Sequence, residues 1–158
     1  SLMDLLNPNS YQKGGWVLNM LRHKLSDNTF WEGIRKYYAS YQNSNALTDD
    51  FRHVMEEVSG QDLDAFFQQW LFIKGHPQLK WNWEYKKGKV IVHLEQMQDH
   101  HVFQFPLEIG LVKDGQTIIE TIQLDERSKS FEIKAKDRPD SVVLDPNQWA
   151  LFEDMGKM

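Results

Sequence analysis

The hydrophobic period of this chain changes once, from steps of three and four to steps of two, and the change falls at Gly75-His76-Pro77. Helices and strands bring apolar side chains to one face by different spacings, so no single element accommodates both halves. A glycine closely followed by a proline also stops a helix, because proline lacks the N–H and its ring collides with the preceding turn. The chain is therefore expected to be α+β as two segregated units, a bundle of about four helices over residues 1–76 and an antiparallel, immunoglobulin-like β-sandwich over 77–158. With 158 residues, 41% of them hydrophobic, two small cores can be filled.

Four helical stripes are readable. Val17, Leu18, Leu21 and Leu25 form the first, and Phe30, Ile34, Tyr37, Tyr38 and Tyr41 the second. Thr29 and Glu32 have the spacing of a capping box. Thr48 is placed to cap the third helix, where Asp49 and Asp50 favour the positive end of the dipole. Phe51, Val54, Met55 and Val58 are its apolar face, and Gly60 suits the position just past its end. The fourth stripe is Leu63, Phe66, Phe67 and Trp70.

Beyond Pro77, Leu79, Trp81, Trp83 and Tyr85 alternate along one strand, and "KKGK" reads as a turn into "VIVHL". Phe103, Phe105, Leu107 and Ile109 share a face, with Pro106 pointing to an edge strand or a bulge. "KDG" announces a hairpin into "QTIIETIQL", and "SFEIKA" and "SVVLD" complete six or seven short strands.

Composition narrows the function. A net charge of −5 without a basic run argues against a nucleic-acid partner. The absence of cysteine removes disulfides and thiolate sites. No apolar run approaches the ~20 residues that span a bilayer, and the compartment is left open between cytoplasmic and periplasmic or secreted. The start at Ser1-Leu2, without an initiator Met, points to a chain cut from a longer protein.

The residues themselves name no activity. There are six histidines, but His100 and His101 are adjacent, would face opposite ways in a strand, and belong to no known ligand spacing. Asp49 and Asp50 are explained by capping, Glu56 and Glu57 by a solvated helix face, and His76 by a loop. Trp81 and Trp83 could form an aromatic platform for peptide or glycan, the basis of an alternative reading as a non-enzymatic binding or scaffold module. An apolar sandwich core explains them more simply. One stretch is harder to dismiss: "SYQKGGWVLNMLRHKLSD" sets Tyr11, Lys13, Gly14 and Gly15 directly before an amphipathic helix. Glycines cost about 1 kcal/mol each inside a helix, so the tyrosine is either placed for access or incidental to a frayed start.

Taken in order, Tyr11-Gln12-Lys13-Gly14, Leu18-Asn19-Met20-Leu21-Arg22, Thr48 to Phe51, Ser59 to Leu63, Phe66 to Trp70 and Gly75-His76-Pro77 resemble the gluzincin aminopeptidases, the aminopeptidase N and leukotriene hydrolase family. The resemblance covers the stretch that follows the zinc site in that family, and a β-sandwich commonly comes next. It implies a parent that hydrolyses N-terminal peptide bonds of peptide substrates with zinc-activated water. It also implies that Tyr11 donates a hydrogen bond to the oxyanion, a role open to a phenol because it keeps its proton at neutral pH. Gly14 and Gly15 would let this part of the chain pack close to the cleft. The family's H-E-x-x-H, its third zinc ligand and its substrate-amine motif do not occur here, and Gly15 stands where alanine is commoner. This chain alone is therefore expected to bind no zinc and cleave nothing, and its uncovered helix faces are expected to favour self-association.

Overall fold

The computed structural model describes residues 8–157, so the Ser1-Leu2 start lies outside it. The chain separates into two units, Ser1–Lys74 and Gly75–Met158. The first is helical and the second is built from two packed sheets, so the fold is α+β, as the change of period predicts.

In the helical unit, α1 spans Pro8–Leu25, α2 Asp27–Tyr41, α3 Thr48–Ser59 and α4 Asp64–Phe67. The last passes directly into a π-helical turn, Gln68–Phe72, which the 3.6-residue stripe does not anticipate. Leu21, Leu25, Phe30, Met55, Leu63 and Phe67 form the core. Each such side chain contributes about 1.5–3 kcal/mol on burial. Gly33 of α2 lies against this core, where an added Cβ would fall 2.4 Å from the sulfur of Met55. Leu18 and Tyr38, both assigned to apolar stripes, are instead exposed.

Helix starts are where the expectations fail. Tyr11 to Gly15 lie inside α1, not in front of it. A single residue, Ser26 (φ 72°), separates α1 from α2. Arg22 donates to both carboxylate oxygens of Asp27 across that break, each at 2.7 Å. Helix α2 thus begins two residues before Thr29, and the Thr29–Glu32 capping box is not the one that forms. Thr48 is likewise the first helical residue of α3 rather than its cap, since Asp50 accepts the Leu47 N–H at 2.8 Å. Asp50→Ala is expected to cost about 1 kcal/mol, and Thr48→Ala a few tenths, a difference readable from urea midpoints. Equal losses would return the capping role to Thr48. Gly60 does close α3 in the left-handed conformation, its N–H bonded to the Glu56 carbonyl at 2.8 Å.

The second unit has a four-stranded sheet in the order β5-β2-β1-β7 and a three-stranded sheet in the order β4-β3-β6. Its strands are β1 Gln78–Lys86, β2 Lys89–Gln96, β3 Phe105–Lys113, β4 Gln116–Leu124, β5 Ser128–Lys134, β6 Ser141–Leu144 and β7 Glu153–Lys157. Lys87-Gly88 and Asp114-Gly115, all at positive φ, turn the β1–β2 and β3–β4 hairpins as two-residue loops. Leu79, Val90, Val92, Leu94, Leu107 and Ile109 are fully buried between the sheets.

Two departures have clear causes. Pro106 lies in β3, the central strand, yet β6 pairs only with Ile109–Val112, so at Pro106 the strand has one neighbour and is locally an edge. Strand β7 pairs with β1 in parallel, so the four-stranded sheet is not purely antiparallel.

Candidate functional site

Tyr11 lies in the first turn of α1 and is 81% exposed. Helical spacing puts Tyr11, Gly15 and Leu18 on one stripe, and all three are exposed. The adjoining stripe, Val17, Met20, Leu21 and Leu25, is buried. Helix α1 therefore anchors one face in the bundle and presents the other, with the phenol near its beginning.

Lys13 fixes this end of the helix from the side. Its ammonium donates to the carbonyl of Ile73, just past the π-helical turn, at 3.1 Å. Burial lowers its pKa. Gly14 borders an apolar groove of about 350 Å³ whose walls include Val17, Leu18, Tyr37, Phe51 and Phe67. A Cβ at Gly14 or Gly15 would meet nothing within 4 Å, so packing within the unit does not demand glycine at either position.

The other sequence candidates resolve into structural roles. Glu56 is not merely solvated: its carboxylate accepts the Leu63 N–H at 2.9 Å and a hydrogen bond from Arg52 at 3.0 Å, tying α3 to the start of α4. Trp81 is buried and donates its indole N–H to Asp154 at 3.2 Å. Trp83 is half-buried, with the Arg138 guanidinium 5.7 Å from its ring centroid. The two rings do not make an open platform. His100 and His101 lie in the loop between β2 and β3, not in a strand, and His101 packs edge-on against Phe103. Among the described residues, no group of three or more His, Asp or Glu converges as a metal site.

His76 belongs to a polar clasp on β7, its Nε2 lying 3.4 Å from Glu153, which also accepts from the Gln78 side chain at 2.9 Å. The Gln78 hydrogen bond, and then His76, hold the Glu153 carboxyl below its ordinary value of 4.5. A carboxyl with a lowered folded pKa stabilises above its unfolded value, and that contribution is lost as pH falls through the lowered value. Protection of the β7 amides, taken relative to the intrinsic exchange rate at each pH, is therefore expected to fall on acidification below 4.5, and Glu153→Gln is expected to abolish that dependence. The same fall in the variant would assign it to other carboxylates.

Comparison with known proteins bears most directly on the helical unit. Residues 2–70 match the peptidase family M1 domain. Aminopeptidase A of Gloydius brevicauda is 41% identical over 71 residues, 45% of this chain and 7% of the relative. Alanine/arginine aminopeptidase of Saccharomyces cerevisiae is 28% identical over 130 residues, 79% of this chain and 15% of the relative. A crystal structure of Legionella pneumophila aminopeptidase A in complex with aspartic acid shares the fold, with TM-score 0.80 and 19% identity, over 98% of this chain and 18% of that one. The chain thus spans less than a fifth of the length of each of these proteins. The motif order from Tyr11 to Trp70 and these matches lead to one conclusion: the helical segment of this chain, residues 2–70, matches the domain of peptidase family M1, the gluzincin aminopeptidases.

Proposed function

We propose that this chain serves a zinc-dependent aminopeptidase that hydrolyses N-terminal peptide bonds, and that Tyr11 donates a hydrogen bond to the oxyanion of the tetrahedral intermediate. The observation that supports this reading is the exposed Tyr11 on the open stripe of α1, within the segment that matches family M1. A donor of this kind must reach a reacting carbonyl from a rigid element. Helix α1 supplies rigidity through its buried stripe and through the Lys13–Ile73 hydrogen bond.

The described residues do not fit a zinc site, so the metal's chemistry belongs to residues other than these. On this reading the chain by itself hydrolyses nothing. Its contribution is the aligned hydroxyl, which strengthens its hydrogen bond as charge develops on the carbonyl oxygen.

The test is a hybrid enzyme in which residues of this chain replace the matching 130-residue stretch of the yeast alanine/arginine aminopeptidase. The hybrid is expected to keep its zinc and its aminopeptidase activity. A folded, zinc-loaded hybrid without activity would count against the proposal.

A further inference from the structure

Strand β4, nine residues from Gln116 to Leu124, is the edge of its sheet, and no strand pairs with its outer side among the described residues. Its register with β3 sets Leu124, Ile122, Glu120 and Ile118 opposite Phe105, Leu107, Ile109 and Leu111, and so on the inward face. Burial fades along that face, from fully buried Leu124 to Ile118 at 65% exposure. Ile119, on the other face, is 39% exposed. A long exposed edge is a template for another strand unless something blocks it.

The sequence of β4 is complementary to itself. Pairing two copies antiparallel about Glu120 sets Ile118 opposite Ile122, Ile119 opposite Thr121 and Thr117 opposite Gln123, and repeats each pair on the other side of the two-fold axis. The strand has no proline and no lysine, the usual guards of an edge. Its one charged residue, Glu120, lies at the centre and would meet its own copy. The β3 residues on that face, Phe105, Leu107, Ile109 and Leu111, carry no charge to offset it. On β5, Lys129 is already engaged by Asp125 at 2.6 Å and Glu126 at 3.0 Å.

We propose that β4 is a self-pairing edge, the interface through which two copies of this chain associate side by side, and that Glu120 at its centre sets how weakly they do so. One strand pair is small beside the ~1,200–2,000 Å² of stable interfaces, so the association is concentration-dependent. It goes beyond the aminopeptidase reading and shares no residue with it.

Sedimentation equilibrium of the whole chain at neutral pH is the test. The weight-average mass is expected to rise above 18.7 kDa with concentration. Glu120→Gln is expected to lower the concentration of half-association roughly 3- to 10-fold, by removing one like-charge pair. Ile118→Asp, at an exposed position, adds like charge beside Glu120 and is expected to keep the chain monomeric, with or without Glu120→Gln. A wild-type chain and Glu120→Gln variant that both stay monomeric would overturn the proposal. So would association that survives Ile118→Asp, and its loss in Leu18→Lys would then place the interface on the helical groove.

Discussion

In the hybrid aminopeptidase, Tyr11→Phe is expected to lower kcat by roughly 10²–10³, equivalent to about 3–4 kcal/mol of transition-state stabilisation. The substitution deletes one oxygen and keeps the ring, so it separates the hydroxyl's chemistry from the side chain's shape. KM is expected to change little, because an oxyanion donor binds more strongly where charge has developed than in the ground state. Stability is expected to be unaffected, since the side chain is 81% exposed. A rise in KM at constant kcat would instead make Tyr11 a substrate-binding group, and unchanged kinetics would reduce it to a bystander. Lost zinc or a lowered melting temperature would point to damage elsewhere in the hybrid.

The second large effect is expected inside the sandwich. Gln96 is almost wholly buried at the end of β2. Its amide oxygen accepts from the Phe103 N–H at 2.9 Å and from the Gln98 side chain at 2.7 Å. Its amide nitrogen donates to the Phe103 carbonyl at 2.8 Å and to that of Glu126 at 3.2 Å. One side chain thus supplies the hydrogen bonds that a missing strand would have given to Phe103. Gln96→Leu keeps similar bulk but removes both of these hydrogen bonds to the buried Phe103 backbone, at about 1–3 kcal/mol each. A total of about 2–6 kcal/mol is comparable with the whole margin of an ordinary domain, ~5–15 kcal/mol. Amide exchange at Val92 and Leu107, deep in the two sheets, is expected to accelerate accordingly. Exchange rates close to wild type would mean that the loop between β2 and β3 satisfies Phe103 in another way.

Much of this fold is legible because burial imposes a period. The stripes through Leu21, Met55 and Phe67, and the alternation through Val90, Val92 and Leu94, are the side chains that fill the cores. Gln96 continues that same alternation, so a polar residue in a buried phase was itself a sign that backbone nearby needed partners. Helix starts were not legible. Thr29, Thr48 and Asp50 are all competent to cap, and tertiary packing selects among them, not spacing alone. Strand β7 could not be read at all. "EDMGK" has no apolar alternation, every residue in it is exposed, and it is held by backbone pairing to β1 together with the Glu153 and Asp154 contacts. At the site, residue chemistry alone drew attention to Tyr11 without giving it a task. The task proposed for it came from motif order, because among the described residues no group of three or more His, Asp or Glu converges as a metal site.

The parallel alignment of β7 with β1 has a mechanical consequence. Gln78 at the start of β1 pairs with Glu153 at the start of β7, and Trp81 farther along β1 pairs with Lys157. Where the chain enters the sandwich and where it leaves β7 are therefore opposite ends of one two-stranded ribbon. Tension between those two points runs along the strands. It loads the hydrogen bonds of the ribbon together, in shear, where a hairpin pulled at its open end would give them up one by one.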